Sequence, residues 1–188
     1  SGVKHDVSDA PYATARTAAF MGKKWLEAHF ELRVDYLTQF SMSNVLSLSE
    51  RELPSRISGE DFLHRFATID DPLSEVQAGK IYPLRNATLF AIEEHSRCQL
   101  TTMWLQKSEW ALIGKLMFES HDGYTSIGLG SPETDDMVNA IRELGTTNGF
   151  YGARISGGGS GGTVVVLARR DALPLLQSLA PLPSTLIY

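Results

Sequence analysis

The sequence predicts a helix-rich α+β fold with a small antiparallel sheet. Several segments repeat apolar residues every three or four positions, which is the spacing of amphipathic helices. The segment over residues 163–167 is rich in β-branched residues, which favours a strand, and a glycine-rich loop joins it to another predicted strand as in a hairpin. With 188 residues the chain is long enough for a hydrophobic core, and we predict a single domain over residues 1–188.

The first part of the chain is predicted to be mainly helical after a short strand over residues 3–7. A helix follows over residues 12–30, with Pro11 in its first turn, where proline is favoured. A second helix is predicted over residues 32–51 and ends before Pro54, because the residue preceding a proline avoids helical geometry. Small residues on one face of the first helix indicate close packing against another element: Ala15, Ala18, Ala19 and Gly22.

Three helices are predicted in the middle of the chain from their apolar periodicity: residues 60–66, 87–105 and 107–120. A turn at residues 70–72 and a weak strand or loop over residues 80–84 lie between the first two of these helices. Asp122 and Gly123 are expected to end the third.

The last long helix has clear end signals. Ser131 is a suitable N-cap, Pro132 occupies the first helical position, and Gly145 follows a helix over residues 132–144. Two strands that flank the glycine loop, a short helix and the start of a final strand complete the chain: residues 152–155, 163–168, 172–179 and 185–188.

The segment from Gly157 to Gly162 is the most informative part of the sequence, since five of its six residues are glycine. Glycine reaches positive φ angles and lets other atoms approach the backbone, and successive N–H groups can form a nest for an anion. The letters match the dinucleotide pattern G-x-G-x-x-G, but a strand follows instead of the required helix, and no Walker-type lysine follows. Because an ordinary hairpin needs only one or two glycines, we favour a loop that packs against a ligand or another backbone over a bulged turn.

Composition argues against several classes of function. A net charge of −5, with dispersed basic residues, argues against a general nucleic-acid or anionic-membrane surface. The single cysteine, Cys98, can form no intrachain disulfide and fits a reducing compartment, so we expect a cytoplasmic protein. The sequence contains no run of about 18 apolar residues, so no membrane span is predicted. The first residues lack the apolar core of a signal peptide.

Two groups of residues with catalytic or metal-binding side chains receive structural interpretations. Ser120, His121 and Asp122 contain the residue types of a hydrolase triad, but consecutive helical residues point about 100° apart, so these three alone cannot converge. We place His121 instead at a helix C-terminus, where it meets the last carbonyls. His95 and Cys98 share a helix face, yet no second ligand pair completes a zinc site, and no metal-binding residue is assigned.

Charged residues on the predicted helices have simpler roles. Glu93 and Glu94 are expected to form salt bridges with Arg97 within one helix. Asp135 and Asp136 stand in the first turn of a helix, where acidic side chains interact favourably with the helix dipole.

Tyr12 and Arg16 lie one turn apart near the start of the first long helix. One interpretation is a partly buried aromatic residue beside a surface arginine, and the other is a ligand site. Residue chemistry alone leaves both open.

Residues 154–163 resemble the third signature motif of the GHMP small-molecule kinases in its sugar-kinase form. Other segments resemble galactokinases in the same order along the chain: Ser1 to His5 with Tyr12 and Arg16, Gly114 to Met117 with Ser120 and His121, and Ser131 to Glu133 with Asp135. A further set resembles L-arabinokinase-like proteins: Ala19 to Gly22, Leu53 and Pro54, Gly59, Phe62 and Leu63, Asp70 to Pro72, and Gly128 to Ser131. The resemblance covers nearly the whole chain.

The resemblance implies a GHMP kinase C-terminal domain, with a ferredoxin-like small antiparallel sheet covered by several helices. Leu89 and Phe90 stand where the family places an Arg-His pair before the pattern Glu94-x-x-Arg97. The family's phosphate-wrapping motif Pro-x-x-x-Gly-Leu-x-Ser-Ser and its catalytic aspartate belong to an N-terminal domain that is missing from this sequence. Since the chain also begins without methionine, we expect a piece of a longer or processed protein without a complete active site.

By resemblance, the complete kinase transfers the γ-phosphoryl group of ATP, with Mg²⁺, to the anomeric hydroxyl of a monosaccharide of L-arabinose or galactose type. ATP and Mg²⁺ would be bound mainly by the N-terminal kinase domain, which is the expected partner of this chain. Tyr12 matches a tyrosine that contacts sugar in galactokinases, and no catalytic residue is assigned in this chain. The resemblance brings six loop residues close to the phosphates and the sugar: Gly157, Gly158, Gly159, Ser160, Gly161 and Gly162.

We expect the isolated chain to be inactive. The alternative function is a non-catalytic, sugar-sensing or pseudokinase module with the same fold. A GHMP kinase for a non-sugar alcohol is disfavoured, because the segments around Tyr12 and His121 resemble sugar kinases in particular.

Overall fold

The computed structural model describes residues 10–159 and 162–179, so the predicted strands over residues 3–7 and 185–188 lie outside the described chain. The helices are α1 (Ala10–His29), α2 (Met42–Leu46), α3 (Gly59–Phe66), α4 (Leu84–Gln106), α5 (Trp110–Ser126), α6 (Pro132–Leu144) and α7 (Leu173–Leu179). The strands are β1 (Ile57–Ser58), β2 (Ile81–Tyr82), β3 (Phe150–Ile155) and β4 (Val164–Ala168). Short 3-10 turns occur at Leu37–Gln39, Thr146–Asn148 and Arg170–Ala172.

The predicted fold class is confirmed, because helices dominate and the strands pair only in the antiparallel sense. β1 pairs with β2, with Ile57 opposite Tyr82. β3 pairs with β4, with Ile155 opposite Val164 at the end that carries the glycine loop. The described residues therefore contain two sheets of two strands each, where the sequence predicts one small sheet.

Contacts between residues divide the described chain into two compact units. The first, called the α1 unit, comprises residues 10–98 and 126–129. The second, called the β3 unit, comprises residues 99–125, 130–159 and 162–179. Each unit has its own buried apolar residues, and each is described by itself.

The core of the α1 unit forms where small residues let helices approach each other. Ala18, Met21 and Leu26 of α1 are fully buried. A Cβ atom at Gly22 would collide with the side chain of Thr88 on α4. The close packing predicted from the small face of α1 is therefore confirmed.

The prediction of a helix over residues 32–51 is wrong. Only the 3-10 turn Leu37–Gln39 and the short α2 form in this stretch. Glu52 accepts hydrogen bonds from both the N–H and the hydroxyl of Ser49, at 2.8 and 2.6 Å. Because such local side-chain bonds offer the backbone an alternative to helical hydrogen bonds, weak apolar periodicity is not enough to hold a helix here.

The core of the β3 unit lies between α6, the hairpin of β3 and β4, and the 3-10 turn before α7. Its buried apolar residues are Val138, Ile141, Phe150, Ala153 and Ala172. The end signals predicted for α6 are confirmed: the Ser131 hydroxyl accepts from the N–H of Thr134, and Gly145 ends the helix with a φ angle of 62°. A 3-10 turn and the shorter α7 replace the single helix predicted over residues 172–179.

α5 crosses β3 at a contact between two glycines. A Cβ atom at Gly114 would collide with the carbonyl of Tyr151, and one at Gly152 would collide with the backbone of Gly114. The predicted end of this helix at Asp122 and Gly123 is wrong, since α5 continues to Ser126. A single glycine costs a helix only about 1 kcal/mol, and tertiary contacts of the last turn, described below, stabilise the continuation.

Candidate functional site

The glycine loop closes the hairpin between β3 and β4. The N–H of Ser156 donates to the carbonyl of Thr163 at 2.9 Å and extends the strand pairing by one step. Gly157, Gly159 and Gly162 have φ angles of 81°, 82° and 91°, a region that side-chain-bearing residues avoid. The predicted loop residues Ser160 and Gly161 lie outside the described residues.

The described part of the loop lies at the surface of the β3 unit. Gly157 and Gly162 are exposed, and Gly158 and Gly159 are half-buried. A Cβ atom at Gly157 or at Gly162 would meet no atom of the described chain within 4 Å. Backbone conformation and not crowding therefore requires glycine at these two positions, and the space on the side where a Cβ would stand is open.

Tyr124 connects α5 to the beginning of the loop. Its hydroxyl donates to the carbonyl of Gly157 at 3.0 Å. The guanidinium of Arg154, near the end of β3, lies 5.5 Å from the centre of the Tyr124 ring, within the range of a cation–π interaction. The loop is thus attached to a helix as well as to its two strands.

His121 lies in the middle of α5 and is buried, which corrects the prediction that it stands at a helix C-terminus. Its Nε2 lies 3.1 Å from Oδ1 of Asp135, in the first turn of α6. The same oxygen accepts a hydrogen bond from the hydroxyl of Thr125 at 3.1 Å. Burial lowers the pKa of His121, and the Asp135 carboxylate acts in the opposite direction without reversing the shift. The imidazole is therefore neutral at pH 7, and it joins α5 to α6.

Ser120, His121 and Asp122 do not converge as a triad. Asp122 is exposed and pairs with Arg142 on α6, with Nη2 and Oδ1 2.7 Å apart. The carboxylate that faces His121 is that of Asp135. These contacts stabilise the last turns of α5, which explains why this helix passes Gly123.

Tyr12 belongs to the α1 unit, where it is half-buried near the start of α1. Arg16, one turn later, donates from Nε and Nη2 to the two carboxylate oxygens of Asp71, each at 2.8 Å. The pKa of Arg16 is raised, mainly by Asp71 and to a smaller extent by Tyr12. Arg16 is therefore fixed beside Tyr12, and a sugar contact by Tyr12 stays a prediction.

Two residues of these clusters, Tyr124 and Asp71, are missed by the sequence analysis as contact residues. Their partners lie 33 and 55 residues away along the chain, beyond the reach of local patterns. A signal for Tyr124 existed, because a position three residues after His121 lies on nearly the same helix face.

Residues 10–159 and 162–179 also bear on three predictions, which concern metal ligands, ion pairs and membrane spans. No group of three or more His, Cys, Asp and Glu side chains in that part of the chain is arranged to hold a metal ion. Glu93 and Glu94 pair with Arg97 at 3.3 and 2.8 Å, which confirms the predicted salt bridges. None of the described helices is both long and apolar enough to cross a bilayer.

Comparison with known families matches the C-terminal part of the chain. Residues 105–179 match the family model described as GHMP kinases C terminal. The matched range begins at the end of α4 and includes α5, α6, both strands of the loop hairpin and α7. The resemblance drawn from the sequence motifs is therefore confirmed at the level of the superfamily.

Curated relatives of this chain include proteins that are sugar kinases by name. L-arabinokinase of Arabidopsis thaliana is 27% identical over 213 residues, which cover 91% of this chain and 20% of that protein. Galactokinase of Thermotoga maritima is 33% identical over 90 residues, which cover 47% of this chain and 25% of that protein. This chain thus spans a fifth to a quarter of the length of these relatives.

A solved structure shares the fold. The galactokinase of Lactococcus lactis, in complex with galactose, superposes with a TM-score of 0.68 at 16% sequence identity. The match covers 94% of this chain and 38% of the galactokinase chain. At this identity the likeness concerns the fold alone.

Proposed function

This chain carries a GHMP kinase C-terminal domain over residues 105–179, and on that premise we propose that it is part of an ATP-dependent kinase that phosphorylates the anomeric hydroxyl of a monosaccharide. The sugar would be of L-arabinose or galactose type, in line with the names of two relatives. The observation that carries the proposal is the glycine loop. It is an open hairpin end inside the matched range, and its backbone adopts three positive φ angles.

The loop suits a phosphate group. Because no Cβ atom stands at Gly157 and the space there is open, phosphate oxygens can approach the loop backbone closely. ATP would supply the phosphoryl group, and Mg²⁺ would neutralise its charge. Since the described residues offer no acidic cluster for a cation, Mg²⁺ and most of ATP would be held by an N-terminal kinase domain.

Phosphoryl transfer depends mainly on positioning and on stabilisation of charge. In this proposal the chain contributes backbone donors from the loop and a hydroxyl from Tyr12 toward the sugar. The general base is expected in the N-terminal kinase domain, and no residue of this chain is assigned that role.

The direct test is a sugar-panel assay on the full-length protein with ATP and Mg²⁺. We expect a sugar 1-phosphate from L-arabinose, galactose or a close relative of these sugars. Binding of a sugar without transfer would contradict the proposal and support the non-catalytic, sugar-sensing alternative. Transfer to a non-sugar alcohol would contradict the assignment of substrate class.

A substitution within the loop tests whether the loop takes part. Gly159→Val in the full-length protein adds a branched side chain to the loop, and we expect turnover to fall roughly tenfold or more because this side chain would crowd the phosphates at the loop. Gly128→Val is the matched control. Gly128 has nearly the same φ angle as Gly159, 83° against 82°. A Cβ atom at Gly128 would meet no described atom within 4 Å, and this residue lies outside the loop. Both variants should lose about 1–2 kcal/mol of stability from backbone strain. Only Gly159→Val should lose turnover, and equal turnover in the two variants would contradict the role of the loop.

A further inference from the structure

The beginning of the glycine loop has a specific attachment to α5. Gly157 is the first residue beyond the hydrogen bond between Ser156 and Thr163. Its carbonyl accepts from the Tyr124 hydroxyl at 3.0 Å. Since Gly157 has no side chain and open space where a Cβ would stand, this hydrogen bond defines the orientation of its carbonyl.

The tyrosine that makes this bond is itself held in place. The guanidinium of Arg154 lies 5.5 Å from the centre of its ring, and Nε of the same group donates to the carbonyl of Ile155 at 3.1 Å. One turn earlier on α5, buried His121 faces Asp135. Tyr124 therefore projects from a helix turn that is anchored on two sides.

The geometry of the peptide bond extends this attachment by one residue. The carbonyl of Gly157 and the N–H of Gly158 belong to one planar trans peptide, in which the two groups point in opposite directions. Because the carbonyl points to Tyr124, the N–H of Gly158 points away from it. A donor directed away from the supporting helix is available to an anionic group such as a phosphate.

We propose that Tyr124 is a positioning residue of the glycine loop, which orients the peptide between Gly157 and Gly158 so that the Gly158 N–H donates to a phosphate group of the nucleotide. The inference rests on the proposed function for its ligand. The attachment itself can be measured independently of activity.

The test compares Tyr124→Phe with Tyr151→Phe in the full-length protein. Both changes remove one phenolic hydroxyl and keep the ring, and Tyr151 lies half-buried near the other end of β3. In Tyr124→Phe we expect hydrogen exchange of the Ser156 amide to accelerate severalfold and kcat/KM for ATP to fall roughly fivefold, the worth of one hydrogen bond. KM for the sugar should stay within about twofold, and Tyr151→Phe should change none of these quantities.

The outcomes separate this inference from the proposed function. Unchanged exchange at Ser156 in Tyr124→Phe would overturn the attachment, whatever the activity. Faster exchange with unchanged kcat/KM for ATP would overturn the positioning role. If the wild-type protein phosphorylates no sugar, the proposed function fails. The role of Tyr124 can then still be tested by the binding of ATP. Tighter binding by wild type than by Tyr124→Phe supports this role, and equal binding overturns it.

Discussion

The carboxylate of Asp71 illustrates how one residue fixes a local arrangement. Its side chain is fully buried and accepts two parallel hydrogen bonds from Arg16, a geometry that is stronger than a single contact. The Arg16 hydrogen bonds hold the pKa of Asp71 well below its usual range. The neighbouring Asp70 is exposed and pairs with Lys24 at 3.1 Å. Adjacent carboxylates thus differ in burial, and they should differ in their effect on stability.

Asp71→Asn should lower the free energy of unfolding by about 2 kcal/mol, because it leaves a partly buried guanidinium without its charge partner. Asp70→Asn is the matched control and should change stability by less than about 0.5 kcal/mol, as exposed ion pairs do. Urea unfolding at pH 7 measures both. The difference in unfolding free energy between the two variants should shrink as the pH falls below about 4, because the variant that keeps Asp71 then loses stability. Its unfolded chain binds a proton at Asp71, whereas the folded protein resists protonation there. Equal effects at pH 7 would contradict this account.

His121 should make stability depend on pH in a predictable direction. Its pKa is lowered in the folded state, mainly by burial, so the unfolded chain binds a proton more readily as the pH falls below about 6.5. The contribution of neutral His121 to stability is therefore fully present above that pH. It is lost as the pH falls toward the pKa of the folded state, by up to about 1.4 kcal/mol per pH unit. His121→Gln keeps a donor for Asp135 and removes the titration. Unfolding free energies at pH 7.5 and 5.5 should differ less in the variant than in wild type, and an equal difference would show that another group is responsible.

Among the elements, the crossing of α5 and β3 has the narrowest steric tolerance. Gly114 and Gly152 meet there backbone to backbone, with no space for a Cβ atom on either side. Within a helix, alanine is normally preferred over glycine by about 1 kcal/mol. At Gly114 the collision with the Tyr151 carbonyl outweighs this preference.

Gly114→Ala should therefore destabilise the protein, by about 3 kcal/mol, because the collision involves backbone atoms that cannot move aside as a side chain can. Gly79→Ala serves as the control, since a Cβ there would meet no described atom within 4 Å and the backbone conformation is ordinary. That variant should stay within about 0.5 kcal/mol of wild type. Thermal or urea unfolding of both variants measures the difference, and a neutral Gly114→Ala would mean that the helix can retreat from the strand.

The helices also show which local sequence signals were sufficient to predict where an element begins and ends. α6 has Ser131, Pro132 and Gly145 at its ends, and its limits were predictable because capping is a short-range interaction. The stretch over residues 32–51 has only partial periodicity, and local side-chain bonds form there instead. The Ser47 hydroxyl donates to the carbonyl of Asn44 at 2.8 Å, and the N–H of Ser49 donates to the Glu52 carboxylate. α5 passes Gly123 because of contacts with residues far along the chain, which no local pattern contains.

At the scale of the whole molecule, the chain shares the fold of part of a galactokinase structure and spans only part of the length of its relatives. The glycine loop was predictable as a hairpin end with positive φ angles, because its composition is rare and its backbone requirements are local. Its role as a binding site stays a prediction. Tyr124, which supports the loop, was not predictable, because its hydroxyl acts across 33 residues of sequence. The role of Tyr12 rests on family resemblance and stays a prediction.

We expect the 188 residues alone to phosphorylate no sugar, since the proposed function assigns the phosphate-wrapping motif and the catalytic aspartate to an N-terminal kinase domain. The isolated chain and the full-length protein would be compared at equal concentration with ATP, Mg²⁺ and a sugar panel. Product formation only in the full-length protein is the expected result. Sugar phosphate formed by the isolated chain, at a rate that follows its purification, would contradict the proposed division of roles.

The glycine pair at the crossing of α5 and β3 also limits how this domain can change by mutation. In an ordinary core contact, a larger residue on one side can be compensated by a smaller residue on the other. Gly114 and Gly152 are already the smallest residues, so neither can shrink to make room for growth of its neighbour. No compensating pair of substitutions is therefore possible at this crossing. Substitutions that change the conformation of the hairpin end have to occur in the loop or in the side chains that contact it.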